Sequence, residues 1–341
     1  MMLPTRELAG TGVKTSAIGF GCAGLFLIPD RNVRRLALDA AYDAGLRHFD
    51  VAPMYGLGLA EAELAPFLSR RRADVTVTTK FGIEPTAAGK AIARVQRPVR
   101  AFLAKRPAIG EEMKAAAEGP HSGAVGRLIY ASSGYHRQSA QRGLERSLRV
   151  LKTDYIDIFL LHDPAGGVIT EAPDLVEYLE DQRRLGRIRC WGVTGSPAEL
   201  PDVIDILGKA AVAQFRDDIF APSITDGLLS GRATITYGAL AQALPLMRRF
   251  LAESPEASRV WSERLGIDLA DAASLAKMLL AAALRRNLAG PVLFSSTRPE
   301  RAQVAAEAAI LSAQVTDTEL AMISEFAVAV RRACAEMIGT A

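Results

Sequence analysis

The chain alternates two hydrophobic patterns along its length. Short runs rich in β-branched and aromatic residues are separated by longer stretches with an apolar residue at every third or fourth position. The eight strand-like runs are SAIGFG, HFDVA, VTVTTKFG, YIDIFLLH, CWGVTG, AVAQF, ATITYG and PVLFSS. The helix-like stretches are 32–44, 60–68, 137–151, 173–185, 200–207, 269–284 and 299–311. This alternation predicts parallel βαβ units, and eight such units most simply close into a (β/α)8 TIM barrel of the α/β class.

Local signals support several of these boundaries. Asp30 stands where the N-cap of the first helix belongs, and Gly45 stands where a glycine would end that helix. Pro173 and Pro299 occupy positions where a first-turn proline is tolerated. Ahead of the barrel, two strand-like pieces around Gly10-Thr11-Gly12 predict an N-terminal β-hairpin. After the last unit, TDTELAMISEFAVAVRRACAEM predicts a further helix.

One region breaks the alternation. Residues 83–136 follow the third barrel strand and are far longer than an ordinary βα loop. Because such loops lie on the catalytic face of a barrel, we expect one barrel domain over 1–341 whose insertion, 83–136, forms a lid or a wall of the substrate pocket. A solvated insertion explains the length equally well. Residues 244–268 are expected to contribute a second pocket loop.

Composition and charge narrow the class of partner. The chain has 341 residues, 49% of them hydrophobic, and a formal net charge of +3, which gives little reason to expect nucleic acid. No run approaches the roughly 20 apolar residues of a membrane span, and the first residues lack the pattern of a signal peptide. Three separated cysteines, Cys22, Cys190 and Cys334, form no disulfide framework, and Cys190 is expected to be buried. We therefore expect a cytoplasmic protein with a small-molecule substrate.

A glycine motif near the N-terminus is misleading. GFGCAG, residues 19–24, matches G-x-G-x-x-G after a strand, as in a Rossmann dinucleotide site. The following LFLIPD predicts no helix whose N-terminus could hold a pyrophosphate, so we expect no Rossmann fold. No tyrosine is followed four residues later by lysine, which argues against a short-chain reductase. The four histidines are scattered, and no metal site is predicted.

Four polar residues fall at or just beyond the ends of predicted strands: Asp50, Tyr55, Lys80 and His162. Each alone has an ordinary explanation, such as a helix cap or a strand-end side chain. The carboxyl ends of the strands of a parallel barrel meet at one mouth, however, so these four side chains can come together.

Together they suit proton transfer. A phenol with an ordinary pKa of roughly 10 donates its proton poorly at neutral pH, and an adjacent ammonium would stabilise its phenolate and lower that pKa. Lys80 would supply the ammonium to Tyr55, and Asp50 would be the counterion of Lys80. His162 would donate a hydrogen bond to a substrate carbonyl oxygen. This constellation fits the protonation of an alkoxide as a hydride arrives.

Ordered motifs identify a resemblance. FDVAPMYG, VTVTTKFG, SLRVLKTDYIDIFLLHDP and GVTGS resemble the successive signatures of the aldo-keto reductase family, and YGLGLAE is similar to its sugar-dehydrogenase and pyridoxal-dehydrogenase branches. The resemblance implies a TIM barrel that binds NADP(H), with NAD(H) as the alternative, and transfers a hydride to or from a carbonyl or alcohol carbon. Tyr55 would be the general acid or base, completed by Asp50, Lys80 and His162.

The same resemblance implies a set of cofactor-binding residues. Thr194 and Gln214 would hold the nicotinamide carboxamide, and Tyr237 would stack on the ring. The residues nearest the 2′-phosphate would be Ser295, Ser296 and Arg301.

Three departures from the family pattern weaken the expected cofactor contacts. Gly195 stands where the family usually has asparagine, Ala305 where a polar group contacts adenine, and Ser295 where a basic residue is common. Arg301 still favours NADP over NAD. A cofactor-sensing regulatory protein on the same scaffold, comparable to potassium-channel β-subunits, is the alternative function.

Overall fold

The computed structural model describes residues 3–89, 91, 128–164, 169, 173–224 and 231–339. The strands, in chain order, are β1 (Thr5–Leu8), β2 (Val13–Ser16), β3 (Ile18–Gly21), β4 (His48–Asp50), β5 (Thr76–Phe81), β6 (Ile83–Pro85), β7 (Tyr130–Ser132), β8 (Ile156–His162), β9 (Ile188–Thr194), β10 (Val212–Arg216), β11 (Ala233–Tyr237) and β12 (Val292–Phe294). The α-helices are α1 (Arg31–Asp43), α2 (Ala60–Arg71), α3 (Arg137–Leu151), α4 (Pro173–Arg184), α5 (Leu200–Leu207), α6 (Ala243–Glu253), α7 (Pro255–Leu265), α8 (Ala272–Arg286), α9 (Arg301–Leu311) and α10 (Asp317–Gly339).

Eight strands close into a parallel barrel. Their order around the barrel is β10-β11-β12-β3-β4-β5-β8-β9, and β9 pairs with β10 to complete the ring. Each of these strands comes from one of the eight hydrophobic runs, and helices pack around the outside. The predicted (β/α)8 fold is therefore confirmed.

The N-terminal hairpin covers one end of the barrel. Strands β1 and β2 pair antiparallel, with Leu8 opposite Val13, as the glycine-containing turn predicts. Both side chains are fully buried, in one cluster with interior residues such as Ile158 and Leu160. The opposite end, at which the strands terminate, is therefore the open mouth.

The helix boundaries differ from the prediction in a few places. The Asp30 side chain accepts a hydrogen bond from the Asn32 amide as the N-cap of α1, and Gly45 adopts a φ of +99°, as predicted. The last barrel helix begins at Arg301, so Pro299 lies in the turn before it rather than in its first turn. Asp271 caps α8, which starts three residues later than predicted.

Residues 244–268 are not a loop. They form most of α6 and α7, which join α8 and α10 in a second core that contains Met247, Phe250, Trp261 and Phe326. Pro255 at the first position of α7 separates the two helices. Their apolar stripes are buried against other helices, so the prediction of a pocket loop here was wrong.

The insertion begins and ends in a two-stranded stem. Strand β6 pairs antiparallel with β7, and Ile83 lies opposite Ser132. Residues 90 and 92–127 lie outside the described residues, so the predicted lid or pocket wall stays a prediction, as does the single domain over 1–341.

The GFGCAG motif leads into a short 3-10 helix, Cys22–Leu27, where no helix was expected. Its strand, β3, belongs to the closed barrel and not to an open doubly wound sheet. The prediction that the chain lacks a Rossmann fold is therefore confirmed for this segment. Within the described ranges, no helix combines the length and the apolar character that a membrane crossing requires.

His48 occupies the barrel interior, below the mouth. Its Nδ1 lies 3.0 Å from the Thr76 hydroxyl oxygen and its Nε2 lies 3.3 Å from that of Thr78. The side chain is fully buried, and burial lowers the pKa of His48 from 6.5 to about 4. The folded barrel therefore holds a neutral imidazole under conditions in which an unfolded chain would be protonated.

This burial predicts a loss of stability in acid. Below pH 6.5 the unfolded chain binds a proton at His48 that the folded chain refuses, so the free energy of unfolding should fall until about pH 4. The loss should be about 3 kcal/mol. Urea unfolding across this range, compared with His48→Gln, measures it. A slope that is unchanged in the variant would contradict the assignment.

Candidate active site

Adjacent strands deliver the predicted polar residues to the mouth. Strands β4, β5 and β8 are neighbours in the barrel, and Asp50, Lys80 and His162 lie at or near their carboxyl ends. Alternate side chains of a strand share one face, so Asp50 projects inward like His48 two residues earlier. Because β4 and β5 are neighbouring strands, the Asp50 carboxylate and the Lys80 ammonium come together.

Lys80 and Asp50 form a buried ion pair. Lys80 Nζ donates to Asp50 Oδ1 at 2.6 Å and to the Val51 carbonyl oxygen at 3.2 Å, and both charged side chains are almost fully buried. Gln214 Nε2 donates to the second carboxylate oxygen at 2.7 Å. Gln214 lies on β10, four strands away from β4 in either direction around the barrel. Asp50 therefore connects opposite walls of the barrel.

Tyr55 lies over this ion pair. Its 3-10 turn, Tyr55–Leu57, contains Gly56 and ends at Gly58, with φ of +59° and +89°. A Cβ at Gly56 would come within 2.4 Å of the Phe26 ring, so only glycine fits this approach. Lys80 Nζ is 5.1 Å from the centre of the Tyr55 ring, and the His162 ring is 6.0 Å away and perpendicular. The structure thus gathers all four predicted catalytic residues.

The electrostatics differ from the expectation for Tyr55. Burial raises the pKa of Tyr55 well above its ordinary value, and the Asp50 carboxylate adds to this effect. Burial also lowers the pKa of Lys80, although Asp50 opposes that shift. Because the ammonium is paired with a carboxylate at 2.6 Å, its field at the phenol is largely cancelled. The prediction that Lys80 lowers the pKa of Tyr55 was therefore wrong for the protein by itself.

The predicted nicotinamide residues lie on three successive strands. Thr194 ends β9, Gln214 is on β10, and Tyr237 ends β11. Thr194 and Gln214 are buried, whereas Tyr237 exposes 39% of its surface. One N–H of the Gln214 amide is used by Asp50, which leaves the other N–H and the amide oxygen as the groups with which Gln214 could contact a ligand.

The predicted phosphate residues lie between β12 and the start of α9. Ser295 donates its hydroxyl proton to the Gly21 carbonyl oxygen at 2.8 Å, and Ser296 donates to the Arg298 carbonyl oxygen at 3.2 Å. Arg301 is exposed at the first position of α9. Ser295 therefore joins the ends of β12 and β3, and the exposed cations of this loop are Arg298 and Arg301.

Two of the family departures have a clear structural setting. A Cβ at Gly195 would lie 3.6 Å from Asp163 Oδ1, an ordinary contact, so the mouth has space where the family's asparagine would begin. Ala305 is completely buried in the main core and cannot contact a ligand.

Sequence reasoning missed two buried residues beside the site. Glu61, on α2, accepts hydrogen bonds from the Thr79 hydroxyl at 2.8 Å and from Arg146 at 3.2 Å, and burial raises its pKa. Tyr135 places its hydroxyl on the backbone at the end of β8. Neither residue belongs to a strand-end pattern, so no local signal could have identified them. In the part of the chain that the structure describes, no cluster of metal-ligating side chains is present.

A sequence model of the aldo/keto reductase family matches residues 17–215, more than half of the chain. This chain belongs to the aldo-keto reductase family. The match contains all four residues at the mouth.

The chain is similar to several individual enzymes, in sequence or in structure. The chain is 41% identical over 78 residues to D-threo-aldose 1-dehydrogenase of a Pseudomonas species and 38% identical over 80 residues to pyridoxal 4-dehydrogenase of Microbacterium luteolum. These stretches cover 22% and 23% of this chain, and 24% and 23% of the respective relatives. A Klebsiella pneumoniae aldo-keto reductase, solved in complex with NADPH, superimposes with a TM-score of 0.63 at 24% identity, over 96% of this chain and 95% of that one.

The Lys80–Asp50 pair predicts a large effect of Asp50→Asn. The variant leaves a buried ammonium without its counterion, so the free energy of unfolding should fall by about 3 kcal/mol. The deficit should shrink as the pH approaches the ordinary lysine pKa of about 10.4, because a neutral amine needs no counterion. Urea unfolding at several pH values measures both effects.

Asp39→Asn is the matched control. Asp39 is partly exposed and pairs with Arg71 at 2.5 Å on the surface, so its loss should cost less than about 1 kcal/mol. Equal losses of unfolding free energy in Asp50→Asn and Asp39→Asn would show that the buried pair stabilises the fold no more than the surface pair does.

Proposed function

We propose that this aldo-keto reductase transfers a hydride between a nicotinamide cofactor and the carbonyl or alcohol carbon of a small molecule, with Tyr55 as general acid or base. The observation that carries the proposal is the position of the Tyr55 ring, whose centre is 5.1 Å from the Lys80 ammonium and 6.0 Å from the centre of the His162 ring. The NADPH complex of the Klebsiella pneumoniae aldo-keto reductase supports NADP(H) as the cofactor, with NAD(H) as the alternative.

The residues present fit such a cofactor at both ends. Arg298 and Arg301 are exposed beside the N-terminus of α9 and form no ion pair within the described residues, so they can neutralise a phosphate. At the other end, the exposed ring of Tyr237 offers a stacking face, and the Gln214 amide oxygen can accept from a carboxamide. Thr194 lies beside Gln214, in register across β9 and β10.

The side chains at the mouth then handle the proton. When bound, the reduced nicotinamide supplies the hydride. His162 donates a hydrogen bond to the carbonyl oxygen and polarises the C=O bond. As the new C–H bond forms, the π electrons move to oxygen, which takes the Tyr55 proton. The resulting phenolate lies over the Lys80–Asp50 pair, whose ammonium is already partly compensated by its carboxylate.

In the protein by itself, burial raises the pKa of Tyr55, so the phenol is protonated at neutral pH and can act as the acid in a reduction. An alkoxide is a much stronger base than a phenolate, so the buried phenol can still protonate it. Oxidation of an alcohol needs the phenolate first, which burial disfavours. We therefore expect the oxidative reaction to speed up as the pH rises.

Tyr55→Phe tests the chemistry. The variant should lower kcat for NADPH oxidation with aldehydes, ketones or quinones by at least about a hundredfold. Cofactor affinity, measured by fluorescence titration, should change by less than about twofold because the ring remains. Tyr155→Phe is the control, since Tyr155 lies just before β8 at the opposite end of that strand.

Activity that survives in Tyr55→Phe would refute the assigned role. Wild-type protein that binds cofactor but turns over neither carbonyls nor alcohols, and that captures a stoichiometric protein partner, would favour the cofactor-sensing function.

Arg301→Gln tests the cofactor choice. The 2′-phosphate is present only in NADPH, so we expect affinity for NADPH to fall about tenfold while affinity for NADH is unchanged. Fluorescence titration with both cofactors measures this. The exposed Arg184, on α4, provides the control variant Arg184→Gln. Equal losses for the two cofactors would place Arg301 elsewhere along the dinucleotide.

A further inference from the structure

A tyrosine near the end of the insertion reaches the backbone of the strand that carries His162. Tyr135 follows β7, which belongs to the stem outside the barrel, yet only 7% of its surface is exposed. Its hydroxyl donates to the His162 carbonyl oxygen at 2.5 Å and lies 3.3 Å from the Asp163 carbonyl oxygen. The segment just after the insertion stem is thus hydrogen-bonded to His162, the residue that carries the proposed catalytic imidazole.

The ring of Tyr135 is closely packed as well. It packs on Gly82, where an added Cβ would lie 2.1 Å from Tyr135 Cε1, and Gly82 has a φ of +111°. The Ser133 amide donates to the Gly82 carbonyl oxygen at 2.8 Å. Gly82 comes two residues after Lys80, so Tyr135 lies between the exits of β5 and β8. Glycine is required here because the aromatic ring occupies the space of a side chain.

The backbone that Tyr135 contacts is itself strained. Asp163 has a φ of +54°, in the left-handed region that non-glycine residues seldom adopt. Its amide donates to the Thr194 carbonyl oxygen at 2.8 Å, so the turn also touches the end of β9. Burial raises the pKa of Tyr135, and the hydroxyl therefore keeps the proton that it donates. The hydrogen bond from the Tyr135 hydroxyl therefore helps to fix the turn after His162.

We propose that Tyr135 is a positioning residue that fixes the strand end at His162 and thereby the direction of the imidazole at the mouth. The inference rests on the proposed function, in which that imidazole polarises the substrate carbonyl. The geometry connects three elements of the site through one side chain: the exit of β5, the exit of β8 and the insertion stem. Substrate binding and turnover should then depend on a hydroxyl that touches neither substrate nor cofactor.

Tyr135→Phe removes only the hydroxyl and keeps the ring on Gly82. We expect kcat with the best carbonyl substrate to fall about tenfold, while the affinity for NADPH stays within about twofold. Tyr178→Phe is the matched control. Tyr178 is 4% exposed, and its hydroxyl has no hydrogen-bond partner among the described residues, so kcat should stay within about twofold of wild type.

A spectroscopic readout separates positioning from general stability. In histidine-labelled protein, the imidazole resonances of His162, assigned with His162→Gln, should shift in Tyr135→Phe. The resonances of His48, buried deeper in the same barrel, should not move. Together, the kcat loss and the selective shift would support the proposal. Unmoved His162 resonances, or a kcat within about twofold of wild type, would overturn it.

The kinetic and NMR results distinguish a failure of the proposed function from a failure of the positioning role. If the wild-type protein turns over no substrate, the proposed function fails, and the NMR comparison alone decides whether Tyr135 orients His162. If turnover is found and Tyr135→Phe leaves it intact, the positioning role fails while the proposed function stands.

Discussion

The ion pair between Lys80 and Asp50 is the interaction around which the mouth of the barrel is arranged. Both groups are almost fully buried, so each needs the other to remain charged. The second oxygen of Asp50 is held by Gln214 from the opposite wall. A charge that would otherwise be costly to bury is thereby fixed in position, and the strands that supply it are fixed with it.

The pairing also determines what Lys80 can do for Tyr55. An isolated ammonium beside a phenol would lower the pKa of that phenol strongly, but a compensated ammonium acts mainly as half of a dipole. Burial then dominates, and the phenol of the protein by itself keeps its proton. The glycines of the Tyr55 turn complete the arrangement, because Gly56 lets the loop pass close to Phe26 and holds the ring over the pair. The protonated phenol thus lies over an ion pair whose two charges are already balanced.

The surroundings of the mouth are supported from outside the barrel. Glu61 on α2 accepts hydrogen bonds from Thr79 on β5 and from Arg146 on α3, so the back of the strand that carries Lys80 is tied to two helices. The stem of the insertion reaches the end of β8 through Tyr135. Strands β5 and β8, which carry Lys80 and His162, are therefore held from outside the barrel. These contacts connect α2, α3 and the insertion with the mouth.

Patterns along the chain were enough to predict the barrel and the four residues at its mouth. Hydrophobic period and strand-end position are local properties of the chain, and they sufficed to identify the eight strands and to bring Asp50, Tyr55, Lys80 and His162 to one mouth. They did not identify α6 and α7. The apolar residues of 244–268 are buried against other helices, including α10 with Phe326, and the local pattern does not reveal that packing. Nor could they give the direction of the Tyr55 pKa shift, which depends on the depth of burial and on the 2.6 Å pairing of Lys80. The hydrogen bonds from Gln214 to Asp50 and from Tyr135 to the His162 carbonyl oxygen exist only in the folded chain, since each joins residues that are distant in sequence.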